Sequence, residues 1–472
     1  MTIVDAGVKG KRAVVIGLGA SGVAACKLLV SRGAQAVIGT DSKPREKMEA
    51  QAAELEKAGV SLALGGHAEA RIAEADLVVM SPGVPMFDEL AAAERSQIPI
   101  WGEIELAVRA LAHPAPVVAI GGTNGKSTVT SLVGAILGRA GKRTFVGGNL
   151  GEPLADHADE AFDVVVLEVS SFQMERVDSF HPKSSVLLNV SPDHLDRYPS
   201  EQAYADAKGN AFLRQTPDDI AVVPAGDDVC AAQARRGNGR LVTFGPGGDV
   251  VDPASPGDAR LRRIVDVEVQ ASAIVDHAVP HRYDRARVNL RGGHNSLNVA
   301  AAVAAVRPFG IDVRIVEEVL ASFRGLPHRM AFVGDVAGVR YYDDSKGTNV
   351  GASVTAVRGI TEEKVVLVAG GRDKGGSYGP LVDALRDRGR GAVVIGEAAD
   401  LIARAIGDVV PVRRAASMQA AVLAAAALAR AGDAVLLSPA CSSFDMFNDY
   451  KDRGDAFVRA VESLAEKGAR HR

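Results

Sequence analysis

Cysteine is nearly absent from this chain, and aromatic residues are scarce at 4%. The 3 cysteines among 472 residues, Cys26, Cys230 and Cys441, are widely spaced and form no CxxC pair. They supply neither a disulfide framework nor a zinc site, and they suit a reducing compartment. An excess of one charge is also missing: 54 Lys and Arg against 58 Asp and Glu leave a formal net charge of -4. A sequence pI near 6.2 and no basic block argue against a dedicated nucleic-acid binder. No apolar run reaches membrane-spanning length; the alanine-rich stretch 415–431 comes nearest and reads as an ordinary helix. The opening MTIVDAGVKGKRAVVIG enters a strand signal almost at once, leaving no room for a signal peptide. The expectation is a cytoplasmic protein.

What is present is 47% hydrophobic residues and 50 glycines over a length that suggests about three α/β domains. The stretch Val117 to Thr130, VVAIGGTNGKSTVT, organises the rest. An apolar run passes through Gly121 and Gly122 into Gly125-Lys126-Ser127, and periodic apolar residues (Val129, Leu132, Val133, Ile136) follow. Buried strand, tight loop and helix in that order grip a polyphosphate. Backbone N–H groups face the phosphates, the helix N-terminus adds partial positive charge, Lys126 reaches the outer phosphates, and the Ser127 hydroxyl can ligate magnesium. Ile120 stands where the strict Walker pattern has its first glycine, so the loop departs from that consensus.

Upstream, the strand from Lys11 to Ile16 runs into Gly17-Leu18-Gly19-Ala20-Ser21-Gly22, and a second strand from Ala36 ends at Asp41. This Rossmann-type opening leaves NAD, a nucleotide sugar or no ligand open. A further strand, Asp76 to Met80, turns out through Ser81-Pro82-Gly83, and His113-Pro114-Ala115-Pro116 reads as a linker. Downstream, Glu168 ends an apolar strand, where a nucleotide-binding domain holds magnesium or its water; capping a turn is the alternative. A strand from Ser185 to Val190 leads into Ser191-Pro192-Asp193-His194-Leu195-Asp196, a histidine flanked by acids, placed like a ligand or like polar surface. Lys208 lies in a helix starting near Glu201 and taken alone is ordinary. The 224–258 stretch reads as short strands and turns with a variable loop. Asn295 and Asn298 share a face at the start of an alanine-rich helix, Val299 to Val306, as ligand contacts or as caps.

Beyond a boundary near Gly325 to Arg329, strand and helix alternate again, with strands at Val339–Tyr342, Lys364–Ala369, Ala392–Ile395 and Ala434–Leu437. That pattern predicts another open, doubly wound sheet. Asp343 to Asn349, Gly370 to Gly376 and Ser438 to Tyr450 follow strand ends, so they converge on one sheet edge, and Lys346, Lys374 and Ser443 become candidates to line an anion site. Solvated charge is the competing account of each lysine.

Together these stretches closely resemble the Mur ligases, over nearly the whole chain from GLGASG to RGDAF at 453–457. GGTNGKS, EVSSFQ, HNSLN and DSKGTN resemble that superfamily, while SPGVP, NVSPDHLDRY and SPACSSFDMF resemble its D-glutamate-adding branch. The resemblance implies an α/β protein of three domains: 1–110 Rossmann-like, 111–326 P-loop ATPase-like with a mostly parallel sheet, and 327–472 Rossmann-like. It implies a ligase that joins UDP-N-acetylmuramoyl-L-alanine to D-glutamate through an acyl phosphate and a tetrahedral intermediate, for peptidoglycan precursors. The implied cofactors are ATP, two magnesium ions and a carbamate on Lys208. The implied partners are the two substrates, with no nucleic acid, no membrane and a monomeric chain.

Residue by residue, the resemblance puts Ala20, Ser21, Asp41, Ser42, Lys43, Gly83 and Asn149 on the UDP-sugar. Gly122, Thr123, Asn124, Gly125, Lys126, Ser127, Thr128, Asn295, Asn298, Arg329 and Asp344 fall to ATP. Ser127, Glu168, His194 and Lys208 fall to metal, with Lys126, His194 and Lys208 catalytic. Lys346, Thr348, Lys374, Ser443, Phe444 and Tyr450 fall to D-glutamate. Lys43 and Tyr450 stand where the family carries arginine and phenylalanine. The resemblance also implies closure of the domains on nucleotide. Competing expectations are a ligase loading another amino acid, an NAD-dependent dehydrogenase built on Gly17 to Gly22, and a regulatory nucleotide-binding module.

Overall fold

The computed structural model describes residues 6–194, 197–247, 249–251, 260–262, 265–290, 292–375 and 377–469. Leu195, Asp196, Arg291, Gly376, and residues 248 and 252–258 of the 224–258 stretch lie outside the described residues. The chain forms two compact units: Met1–Val190 with Gln202–Asn289 and Ser296–Phe323, and Ser191–Glu201 with Leu290–Asn295 and Arg324–Arg472.

The first unit holds two sheets. Strands β1 (Arg12–Ile16), β2 (Ala36–Asp41), β3 (Ser61–Leu64), β4 (Leu77–Met80) and β5 (Ile100–Gly102) pair in parallel in the order β3-β2-β1-β4-β5. Successive residues of a strand face opposite sides, so a sheet covered on both faces needs an unbroken apolar run. Ala13, Val15, Leu77 and Val79 enter one core, and Val14, Ile16, Val78 and Met80 enter another. Order reverses beside β1, which opens a crevice at its carboxyl end.

The second sheet comprises β6 (Val117–Gly121), β7 (Thr144–Gly148), β8 (Val164–Glu168), β9 (Ser184–Leu187), β10 (Ile220–Pro224) and β11 (Arg240–Pro246). After the separate hairpin of β12 (Asp249–Val251) and β13 (Arg260–Arg262), it adds β14 (Val267–Val269), β15 (Ala273–Asp276) and β16 (His281–Asp284). The order is β16-β15-β14-β11-β10-β9-β6-β8-β7, parallel except where β15 joins β14 and β16. Ala119, Val165 and Leu167 share one hydrophobic cluster with Ala13 and Leu28, so the first two sheets have a continuous core.

The second unit carries β17 (Ala331–Val336), β18 (Val339–Asp343), β19 (Val365–Gly370), β20 (Gly389–Ile395), β21 (Val412–Arg414) and β22 (Ala434–Leu437), in the order β17-β18-β22-β19-β20-β21. It is doubly wound. Val365 and Leu367 face the helices Val350–Gly359, Gly379–Arg388 and Ala399–Ile406, while Val366 and Val368 face Met418–Leu428 and Tyr450–Ala469.

Two differences from the sequence reading have physical causes. The helix expected from Val299 starts at Gly293, because the polar run His294–Asn298 occupies its first turns, where N–H groups have no intrahelical partner and turn-type residues are tolerated. The antiparallel edge strand β17 escaped notice because its side chains are half-exposed and give no continuous apolar run.

Candidate active site

The phosphate loop grows out of the fully buried strand β6. Gly125 has φ +88° and ends the loop; a Cβ there would lie 2.5 Å from Asn298 Oδ1, so glycine is required twice over. Asn189, just past β9, grips the loop: its Oδ1 accepts from Asn124 N (2.9 Å), its Nδ2 donates to Asn124 O (3.0 Å), and its carbonyl accepts from Thr123 N (3.0 Å). The helix Lys126–Arg139 then starts with no side-chain cap, leaving its positive end open to an anion.

Two lysines converge on one carbonyl of this loop. Lys126 Nζ donates to Gly122 O (2.9 Å) and Thr123 O (2.8 Å), and Lys208 Nζ donates to Gly122 O at 3.0 Å. Lys208 is buried, with its ammonium 4.4 Å from the centroid of the Tyr204 ring. The Tyr204 hydroxyl in turn lies 3.3 Å from Thr123 Oγ1. Opposite them, the Ser127 hydroxyl donates to Glu168 Oε2, and Asn149 Nδ2 donates to Glu168 Oε1 at 2.7 Å. Glu168 does not cap the following helix; Ser170 does, in a capping box with Gln173. A hydroxyl and a carboxylate brought together beside a helix N-terminus form an oxygen donor set suited to a hard divalent cation. Among the described residues there is no group of three or more His, Cys, Asp or Glu that could hold a metal alone.

In the first sheet the glycines of the β1 turn differ in purpose. A Cβ on Gly17 would lie 2.8 Å from Val84 Cγ2, and one on Gly22 would lie 1.9 Å from Gly17 O. Gly19 has nothing within 4 Å, so its bare backbone faces the crevice. Asp41 ties the turn down, accepting from Leu18 N (2.8 Å) and Lys43 N (2.9 Å). Ala20, Ser42, Lys43 and Gly83 are exposed, and Ser21 is half-buried, all at the carboxyl ends of β1, β2 and β4.

In the second unit the loops after β18, β19 and β22 meet. Burial pushes the Asp344 carboxyl up to about 7, against the opposing hydrogen bond from Ser438 Oγ (2.7 Å) and the charge of Arg329. Lys346 Nζ lies 3.9 Å from the centroid of the Tyr450 ring. Lys374 Nζ lies 3.7 Å from Asp193 Oδ1. Ser443 is buried, and the neighbouring Phe444 is 65% exposed. His194 has φ +56°, with Nε2 3.8 Å from Asp193 Oδ2.

Three family models match consecutive parts of the chain: Mur ligase MurD-like N-terminal domain (residues 11–102), Mur ligase middle domain (120–306), and Mur ligase, glutamate ligase domain (328–441). The UDP-N-acetylmuramoylalanine–D-glutamate ligase of Geotalea daltonii is 42% identical over 461 residues, covering 97% of this chain and 98% of its own. The chain belongs to the Mur ligase family. The ligase of the same name from Anaeromyxobacter dehalogenans is 43% identical over 97% of this chain and 98% of its own. The fold of this Mur ligase is shared with MurF ligase from Thermotoga maritima in complex with ADP, at TM-score 0.59 and 17% identity over 97% of this chain and 98% of that one.

Within the first unit, the Mur ligase chain brings Lys126, Ser127, Asn149, Glu168, Lys208 and Asn298 to one loop. Asn149, read by resemblance as a UDP-sugar contact, is hydrogen-bonded to Glu168. Within the second, Lys346 meets Tyr450, and Asp193 and His194 stand together. Thr348 is half-buried in the loop after β18, and Asn295 lies in the first turn of Gly293–Ala305.

Three residues carried no site role in the sequence reading. Asn189 organises the phosphate loop, and its position after a strand adjacent to β6 was the available signal. Arg453, 1% exposed, donates to Ser345 O (2.8 Å), Ser345 Oγ (3.0 Å) and Cys441 O (3.1 Å), pinning two of the strand-end loops; it lay within the RGDAF segment. Asp193 was noticed only as a neighbour of His194.

Proposed function

We propose that this Mur ligase forms the amide bond between UDP-N-acetylmuramoyl-L-alanine and D-glutamate, driven by ATP. The observation that carries the proposal is chain-length identity above 40% to D-glutamate ligases, in a chain that keeps the lysine-serine phosphate loop. In this reading residues 1–110 hold the UDP-sugar through Ala20, Ser21, Asp41, Ser42, Lys43 and Gly83, 111–326 hold ATP, and 327–472 hold the amino acid.

The substrate carboxylate attacks the ATP γ-phosphate, and ADP leaves. Two anions repel, so the reaction needs cations at the phosphate. Lys126 leaves its own loop carbonyls for the phosphates, and the open helix end after Gly125 supplies further positive potential. Ser127 and Glu168 would hold one magnesium ion, and His194 and Lys208 a second; bound magnesium would offset charge on the transferring phosphoryl group. Asn295, Asn298, Arg329 and Asp344 serve the nucleotide. The D-glutamate amine then attacks the acyl phosphate, and phosphate departs. Lys374, Ser443, Phe444 and Tyr450, with Lys346 and Thr348, position the amino acid.

Lys208 carries a carbamate in this reading. A neutral lysine amine adds CO2 and releases a proton, and the product is an anion compatible with magnesium. A carbamate resonance from isotope-labelled bicarbonate, absent in Lys208→Ala, checks this point. The chain works as a cytoplasmic monomer whose domains close on nucleotide; solution scattering with an ATP analogue tests closure. Among the described residues no helix is long and apolar enough to cross a membrane.

The deciding experiment is ADP release with ATP, magnesium and UDP-N-acetylmuramoyl-L-alanine, comparing D-glutamate with L-glutamate, L-alanine and meso-diaminopimelate. Turnover confined to D-glutamate is expected. Turnover with another amino acid keeps the chemistry and overturns the substrate.

A further inference from the structure

Asp193 has no role in the reading above, yet its carboxylate is only 8% exposed. A carboxylate that far from water needs partners. Asn349 Nδ2 donates to its Oδ2 at 3.2 Å, while Asn349 Oδ1 caps the helix Val350–Gly359 by accepting from Ala352 N at 2.8 Å. The His194 amide donates to Oδ1 at 3.0 Å, the His194 Nε2 lies 3.8 Å from Oδ2, and the Lys374 ammonium lies 3.7 Å from Oδ1. All of these residues belong to the second unit. An acid from the segment after β9 thus reaches both the loop after β18, which carries Lys346 and Thr348, and the loop after β19, which carries Lys374.

The separation is informative. A closed, charge-assisted hydrogen bond between ammonium and carboxylate spans about 2.7–2.9 Å. At 3.7 Å the Lys374 charge is neutralised by attraction without being locked by a short bond, a geometry that an incoming carboxylate can displace. D-Glutamate brings two carboxylates to loops that carry Lys346 and Lys374. Lys346 sits against the Tyr450 ring, and Lys374 faces a resident anion.

We propose that Asp193 is a specificity-determining residue that stands in for a substrate carboxylate on Lys374, and that the amino acid binds by displacing it. Binding then costs the broken Asp193–Lys374 attraction, which raises the D-glutamate concentration needed and disfavours ligands that cannot offer a second carboxylate. The inference rests on the D-glutamate reading above.

The test compares wild type with Asp193→Asn and Asp193→Ser at saturating ATP and UDP-sugar. Without the resident charge, KM for D-glutamate is expected to fall about fivefold, with kcat no higher than wild type. General structural damage raises KM, so the direction separates the two causes. Titration calorimetry of D-glutamate into each folded variant, with the UDP-sugar and an ATP analogue present, reads affinity where turnover is too slow. An unchanged or raised KM or Kd overturns the inference alone. A wild-type protein that gives no D-glutamate-dependent turnover instead overturns the functional reading, and this inference falls with it.

Discussion

Lys126 and Glu103 show how single side chains acquire meaning from burial and partners. Lys126 spends its ammonium on Gly122 O and Thr123 O, bonds that ATP phosphates can replace with stronger, fully charged ones. Lys126→Ala is expected to cut ADP release by about a thousandfold, with the melting temperature close to wild type. Loss of both together would indicate a structural role instead. Glu103 is wholly buried; its Oε1 accepts from Ala155 N at 3.0 Å, and Oε2 has no hydrogen-bond partner among the described residues. Burial pushes its carboxyl up from 4.5 to about 7, the Ala155 bond opposing and Asp156 assisting. Because the folded value is raised, the folded state binds the proton more tightly. Stability is therefore lost as pH rises through the window from 4.5 to about 7, then levels off. A shift of that size corresponds to roughly 3 kcal/mol. Glu103→Gln cannot ionise, so urea denaturation should show it gaining on wild type between about pH 5 and pH 8. A difference independent of pH would sink this account.

At the scale of elements, the turn after β1 separates folding from binding within six residues. Gly22→Ala drives a Cβ to 1.9 Å from Gly17 O and should destabilise the first unit by about 2 kcal/mol or more. Gly19→Ala meets nothing within 4 Å at φ -71°, so stability should hold within about 0.5 kcal/mol. In the proposed reading its methyl enters space that the diphosphate of the UDP-sugar needs, so KM for the UDP-sugar should rise. Equal effects of the two substitutions on stability would be the contrary result. The contrast also explains what could be read from the sequence. Strand, loop and helix at Val117 to Thr130 are contiguous, so apolar run, glycines and periodicity reveal both the element and its use. Lys208 is different: its significance comes from a carbonyl 86 residues away in sequence, and nothing local marks a helical lysine as buried. Arg453 hides likewise, because an arginine in an amphipathic helix reads as solvated until the carbonyls of Ser345 and Cys441 are found around it. Parallel strands, buried on both faces, were legible; half-exposed edge strands such as β17 were not.

For the whole molecule, the decisive fact is that the chain passes repeatedly between two units, yet each carries its own core. The clusters on either face of the third sheet draw only on the second unit, from Met330 to Leu464. Among the described residues, the clusters that join Val15, Ile16 and Val223 to their neighbours draw on the first. Cooperative unfolding follows shared cores more closely than sequence continuity, so ligand-free calorimetry is expected to resolve two transitions. Leu367, fully buried in β19, and Val79, fully buried in β4, provide independent reporters. Leu367→Ala removes packing from the third sheet at a cost of about 2–5 kcal/mol and should lower one transition alone. Val79→Ala, a smaller deletion in the continuous core of the first two sheets, should lower the other. The UDP-sugar, bound in the proposed reading by Ala20, Ser21, Asp41, Ser42, Lys43 and Gly83 of the first unit, should raise that same transition by mass action. One transition displaced by both substitutions would mean that the units unfold as a single body.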